Sequence, residues 1–200
     1  IEVMAESKKI CPHLHLPLQS GSSRVLKEMN RRYTKESYLA LVDRIREKLP
    51  DISLTTDIIV GFPMETEDEF VETLKFVKEV RFTQIHVFKY SRRQGTAADK
   101  MDGQIAESEK SARSERLIEK EKVLESEFRE RALKNEEKVL FEEITQINGK
   151  KYITGYNERY IRIAVSAENI EDAQCNKIIS VKIIGKVNNE VVLAELSDNF

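Results

Sequence analysis

The sequence predicts an α/β chain in two parts, a parallel strand and helix repeat followed by a small antiparallel β-barrel. Three observations carry that reading. From Ile10 to Tyr90, β-branched runs alternate with segments of helical period, the layout of a parallel sheet joined by right-handed crossovers. From about Ile105 to Lys134 a charged stretch free of Gly and Pro reads as one long helix. After about Asn135 the texture changes to short alternating runs with turns at Asn148-Gly149 and Asn188-Asn189, which suits a small barrel.

Each element has its own signal. His13 to Leu18 reads as the first strand and Ser23 to Asn30 as a short helix. Tyr38, Leu41, Val42, Ile45 and Leu49 fall at helical spacing, so Thr34 to Leu49 is a longer helix, capped by Thr34 and stopped by Pro50. Ile52 to Val60, bounded by Gly61 and Pro63, has the composition of a buried strand. Thr66-Glu-Asp-Glu69 is a capping box opening a helix that turns Phe70, Leu74 and Val77 inward. Gln84 to Tyr90 is the third strand, and Ser91 to Gly103 has no period and is a loop. In the long helix Leu117, Leu124 and Phe128 are apolar, and its charges read as a solvated face with i,i+4 pairs. Strands are then expected at 138–145, 152–156, 160–165, 178–184 and 191–196.

Composition narrows the function classes. With 200 residues and a net charge of −2, the chain has no global attraction for nucleic acid, so any such binding needs a local patch. No apolar run is long enough to span a membrane and no secretory pattern opens the chain, so a cytoplasmic protein is expected. Cys11 and Cys175 lie far apart and suit neither a disulfide framework nor a structural zinc site. Three parallel strands cannot close an eight-stranded barrel and would leave a bare edge. With Ile rather than Met at position 1, the chain is expected to be the C-terminal portion of a longer protein and to self-associate when isolated.

In parallel α/β architectures ligands bind at the carboxyl ends of strands, so Gln19 to Ser22, Gly61 to Glu65 and Ser91 to Thr96 converge on one face. Gln19 and Ser20 offer amide and hydroxyl groups, though Gly21 and Gly61 serve as turn residues at least as well as ligand contacts. Asp57 is a carboxylate inside an apolar strand and must find a donor. His13 and His15 share a strand face but have no evident third metal ligand, and His86 reads as structural. Arg31, Arg32 and Tyr33 form one basic and aromatic group, Arg92 and Arg93 another. Tyr152, Tyr156, Tyr160, Arg159 and Arg162 offer stacking surfaces with charge between them. Residues 138–200 carry eight Lys or Arg against nine Asp or Glu, so a nucleic-acid surface there would be a patch on a domain that is not basic.

Four segments together stop being generic: His15-Leu-Pro-Leu-Gln-Ser-Gly-Ser22, Val25-Leu-Lys-Glu-Met-Asn-Arg-Arg-Tyr-Thr34, Thr56-Asp-Ile-Ile-Val-Gly-Phe-Pro63 with Glu65-Thr66, and His86-Val-Phe88 with Tyr90-Ser91 and Gly95-Thr96. In this order they resemble the radical S-adenosylmethionine methylthiotransferases, and with the terminal barrel the resemblance covers almost the whole chain. Gly155-Tyr-Asn-Glu-Arg-Tyr160 and Asn30-Arg-Arg-Tyr33 are most similar to the MtaB-like branch, which acts on threonylcarbamoyladenosine beside the tRNA anticodon. The branches for isopentenyladenosine and for a ribosomal protein are its competitors, and a non-catalytic RNA-binding module derived from the family is a further alternative.

The resemblance implies the last part of a radical SAM (β/α) partial barrel over 1–104, a connecting helix over 105–135 and a TRAM-like, OB-like RNA-binding barrel over 136–200. It implies S-adenosylmethionine and two 4Fe-4S clusters as cofactors. A reduced cluster cleaves S-adenosylmethionine to a 5′-deoxyadenosyl radical, which takes hydrogen from C2 of the adenine, and a methylthio group assembled on the second cluster is inserted. Gln19, Ser20, Asp57, Gly61 and Phe88 would line the S-adenosylmethionine site, and Arg31, Arg32, Tyr33, Arg92, Arg93, Tyr156, Tyr160 and Arg162 would meet RNA. Implied partners are the tRNA anticodon stem-loop and an electron donor such as a flavodoxin, for a full-length protein that is monomeric. The cluster cysteines should precede Ile1, so no catalytic residue or metal ligand is expected in this chain, which alone should be inactive. Met64 replaces a common glycine, and Gln94 and Ala97 replace common prolines, which leaves the shape of those loops open.

Overall fold

Ser53–Val60, nearly all β-branched or apolar, forms the central strand β2 and sorts its side chains by parity. Leu54, Thr56, Ile58 and Val60 have no exposed surface, while Asp57 and Ile59 on the other face stay half-buried. The structure is a computed structural model that describes residues 1–134, 136–167 and 175–197. It divides into two units, 1–6 with 14–128 and 7–13 with 129–200. The expected domain limits at 135 and 200 lie outside the described residues.

In the first unit β1 (His13–His15), β2 and β3 (Gln84–Lys89) make a sheet in the order β1-β2-β3, with β2 and β3 parallel. The first strand is shorter than the sequence suggests. Pro17 has no N–H to donate, and the chain rejoins the sheet only at a parallel bridge between Gln19 and Ile58. Around the sheet run α2 (Ser23–Glu28), α3 (Lys35–Lys48) and α4 (Glu67–Val80). Their starts are those the caps dictate. The Ser22 hydroxyl accepts from the Val25 amide, and Thr34 with Ser37 and Thr66 with Glu69 close capping boxes. Tyr38, Val42 and Ile45 of α3 and Phe70, Phe76, Val77 and Val80 of α4 join Leu54, Ile58 and Val60 in one core. The strand is buried as expected except at Asp57 and Ile59, which are half-buried where the face away from this core opens. One additional turn, α1 (Glu2–Glu6), carries no apolar period that would reveal it.

The long helix α5 (Glu107–Ala132) is present, and Leu117, Leu124 and Phe128 are buried as expected. Its charges are not all solvated: Lys110 is 7% exposed and Arg113 only 2%. Both lie on the same stripe as Leu117 at helical spacing, so two cations are buried beside the apolar seam there, and Arg129 nearer the helix end is buried as well.

The second unit contains β4 (Glu136–Ile147), β5 (Lys150–Asn157), β6 (Arg162–Ser166), β7 (Ile178–Lys186) and β8 (Val192–Leu196), closed into a barrel in the order β4-β5-β6-β8-β7. All five expected strands are there. The barrel is not wholly antiparallel, because β6 and β8 pair parallel, with β7 lying between them in sequence but not in space. A buried polar group pins it: Glu137 accepts from Arg159 at 3.0 Å and from Asn157 at 3.1 Å. No helix among the described residues is long and apolar enough to cross a membrane.

Candidate cofactor face and candidate RNA-contacting residues

The exposed face of the three-stranded sheet is polar where an apolar one would be covered. Asp57 of β2 stands opposite His86 of β3, and Ile59 opposite Phe88, so these four side chains share that face. Asp57 finds the donors a strand carboxylate needs. Its Oδ1 lies 3.1 Å from His86 Nδ1 and its Oδ2 3.3 Å from His15 Nε2. Thr55 Oγ1 lies 3.0 Å from the other nitrogen of His15. Phe88, 52% exposed, presents a flat apolar ring two residues further along β3.

The loop after β1 is held rigidly. Gln19 has φ 74°, a left-handed conformation rare without glycine, yet its N–H donates to the Asp57 carbonyl at 2.8 Å and its carbonyl accepts from Ile59 at 2.9 Å. Arg31 reaches its side-chain oxygen at 3.2 Å. Ser20 does not face outward: it has no exposed surface, and its hydroxyl meets Thr73 at 3.5 Å and accepts from the Ser22 amide at 3.2 Å. Gly21 is required by packing, since a Cβ there would lie 2.6 Å from the Thr73 Cα of α4.

The loop after β2 is built from beneath by α5. Gly61 has φ +72°, and a Cβ on it would collide with Lys110. Its N–H is already used, donating at 2.7 Å to Glu65 Oε2. Arg113 donates to that same oxygen at 2.8 Å and to the Glu65 carbonyl at 3.1 Å. Burial pushes the Glu65 carboxyl up, and the Gly61 amide and the guanidinium pull it back. Lys110 donates to the Tyr90 carbonyl at 3.0 Å, tying down the end of β3 as well. Met64 takes φ 64° and donates to Gly103 at 2.8 Å, so the loop keeps a left-handed residue without glycine. Gly61, enclosed by Lys110, therefore shapes the loop from below. Lys110 and Arg113 were missed from sequence because each reads as one more surface charge; their spacing from Leu117 was the available signal.

The RNA candidates divide in the same way. Arg32 and Arg93 are exposed, and Arg92 is exposed but engaged with Asp99 at 3.0 Å. Tyr33 is half-buried and donates its hydroxyl to the carbonyls of Pro17 and Leu18, both at 3.1 Å. In the barrel Tyr160 is 60% and Tyr156 36% exposed, their ring centroids 6.4 Å apart, with Arg162 reaching Glu143 at 3.3 Å. Arg159 does not join them, being buried on Glu137.

A family model now bears on these loops. Residues 1–77 match the radical SAM superfamily. The matched segment takes in β1, β2 and the loops after both. Among curated relatives, tRNA-2-methylthio-N(6)-dimethylallyladenosine synthase of Acetivibrio thermocellus is 48% identical over 75% of this chain and 31% of its own length. The protein of the same name from Alkaliphilus oremlandii is 39% identical over 96% of this chain and 41% of its own. That of Fusobacterium nucleatum is 58% identical over 60% of this chain and 27% of its own. The chain thus spans about a third of the length of these relatives. Their names move the likeness from the threonylcarbamoyladenosine branch to the dimethylallyladenosine one. A solved radical SAM enzyme, coproporphyrinogen III oxidase from Escherichia coli, aligns at 25% identity over 54% of this chain and 25% of that one, with a TM-score of 0.45, too low to argue from.

Proposed function

We propose that the chain is the C-terminal part of a tRNA methylthiotransferase acting on N6-dimethylallyladenosine, with a radical SAM segment followed by a TRAM-like barrel that meets the anticodon stem-loop. The observation that carries this reading is the joint presence of the radical SAM match over 1–77 and relatives named for that one reaction across nearly the whole chain. The polar sheet face suits S-adenosylmethionine in its donor set: an exposed aromatic ring for the adenine at Phe88, a fixed amide side chain at Gln19 and a carboxylate at Asp57 on the floor. Ser20 and Gly61 act from behind as shapers of the two loops. S-adenosylmethionine, when bound, supplies the radical precursor and the methyl group of methylthiolation. Gln19 and Asp57 orient it, and the clamp of Lys110 and Arg113 keeps the loop after β2 in place beneath it. Iron-sulfur clusters do not fit the residues present, since two free cysteines, Cys11 and Cys175, cannot ligate even one such cluster. In the barrel, Tyr156, Tyr160 and Arg162 supply stacking and charge for an RNA loop. An electron donor of the flavodoxin class completes the set of partners.

Nucleoside mass spectrometry of tRNA from cells deleted for the natural gene tests the reading. The expected result is loss of 2-methylthio-N6-dimethylallyladenosine with accumulation of N6-dimethylallyladenosine, reversed by the intact gene. Loss of the methylthiolated threonylcarbamoyl nucleoside instead, or of neither, would overturn it.

A further inference from the structure

Two histidines and one carboxylate meet on the open sheet face, each from a different strand, and they form more than a hydrogen-bonded cluster. His15, Asp57 and His86 each offer a ligand atom, and these atoms all lie within 4.8 Å of one another. Asp57 meets each ring with a different oxygen, Oδ1 3.1 Å from His86 Nδ1 and Oδ2 3.3 Å from His15 Nε2, distances close to the roughly 3.0–3.4 Å between neighbouring ligands of one ion with metal bonds near 2.1 Å. The ligand atoms of His15 and His86 lie within 4.8 Å of each other. The two rings are stacked with centroids 5.7 Å apart and 38% and 47% of their side-chain surfaces exposed, so neither is locked by packing.

We propose that His15 Nε2, Asp57 and His86 Nδ1 form a mononuclear site for a divalent transition-metal cation. The surroundings are those such a site needs. Thr55 Oγ1 lies 3.0 Å from His15 Nδ1, so the tautomer protonated there can donate to that hydroxyl and free the Nε2 lone pair for a metal in place of the hydrogen bond to Asp57. Register in the sheet places Asp57 directly opposite His86, so the two backbones are preorganised to deliver adjacent ligands. Two imidazoles and one carboxylate select zinc, cobalt, nickel or iron(II) over magnesium or calcium, and leave coordination positions on the exposed side for water or a substrate atom. The site shares its face with Phe88 and shares Asp57 with the proposed S-adenosylmethionine site, and metal binding measured without that cofactor tests it separately.

The probe is cobalt(II), titrated into the chain carrying Cys11→Ser and Cys175→Ser so that no thiolate competes, and followed by its visible ligand-field absorption. A saturable spectrum at one equivalent is expected. His15→Ala, Asp57→Asn and His86→Ala should each weaken cobalt binding at least tenfold, Thr55→Val should weaken it about tenfold, and His13→Ala should leave it unchanged. Circular dichroism of each variant separates loss of the site from loss of the fold. A chain that gives no saturable cobalt spectrum, or folded variants at His15, Asp57 and His86 that bind as tightly as the parent, would overturn the proposal.

Discussion

Replacing Arg113 by Met takes a cation away from the buried Glu65 carboxylate, and the cost follows from the geometry. One guanidinium nitrogen donates at 2.8 Å to the carboxylate and at 3.1 Å to the Glu65 carbonyl, with side chains only 2% and 1% exposed, so water cannot take over either bond. Two hydrogen bonds from a charged donor contribute about 1.5–3 kcal/mol each. Removing one partner of a buried pair costs about 3–5 kcal/mol, which agrees. The contacts of Arg113 with Glu67 at 3.7 Å and with Glu109 reach half-exposed carboxylates and add little. The loss also has a pH signature. Burial already pushes the Glu65 carboxyl above its ordinary value near 4.5, and without Arg113 it rises further. A carboxyl whose pKa is higher folded than unfolded favours folding below the unfolded value and costs stability as pH rises through the folded one. The deficit of the variant should therefore be larger at pH 7 and shrink toward pH 4.5. Urea denaturation at pH 7 and pH 5 measures this, with amide exchange at Gly61 reporting the loop itself. A loss under about 1 kcal/mol at pH 7, or an equal loss at both pH values, would refute a buried charge pair as the support of this loop.

Three further outcomes follow from the same structure. The Arg24 guanidinium beside Glu69 holds that carboxyl down at about 2, with the Thr66 amide helping, so its contribution is present above pH 4.5 and lost as pH falls through about 2. In Arg24→Ala, NMR titration of Glu69 should show a value moved back toward 4.5. Gly61→Ala should destabilise by about 2 kcal/mol, since a left-handed backbone and the Lys110 side chain both oppose a Cβ, and thermal denaturation reads the loss directly. In the natural gene product, Tyr160→Ala should weaken binding of an anticodon stem-loop RNA by about 1–3 kcal/mol if a base stacks on it, as measured by fluorescence anisotropy, with Arg159→Ala instead lowering barrel stability.

What the sequence made legible was what local chemistry decides. Thr34 and Thr66 act as the caps their neighbours announce, and β2, β3 and the five barrel strands fall within a few residues of their patterns. What it hid depends on register and on helical stripes. Nothing local says that Asp57 faces His86 and His15, because that meeting is made by pairing of three strands distant in sequence. Lys110 and Arg113 look like solvated charges until α5 is laid against Gly61 and Glu65. The likeness to the threonylcarbamoyladenosine branch draws partly on Gly155 to Tyr160, and two residues of that motif say little about substrate. Asn157 and Arg159 in it are spent on Glu137 inside the barrel, so they report packing rather than recognition.

A crystal structure of the natural gene product with S-adenosylmethionine bound tests the central claim most directly. The account predicts the adenine against Phe88, the cofactor's polar groups reaching Gln19 and Asp57, and Ser20 and the Gly61 amide still engaged with Thr73 and Glu65. A cofactor seated away from this face, with Phe88, Gln19 and Asp57 untouched, would contradict it.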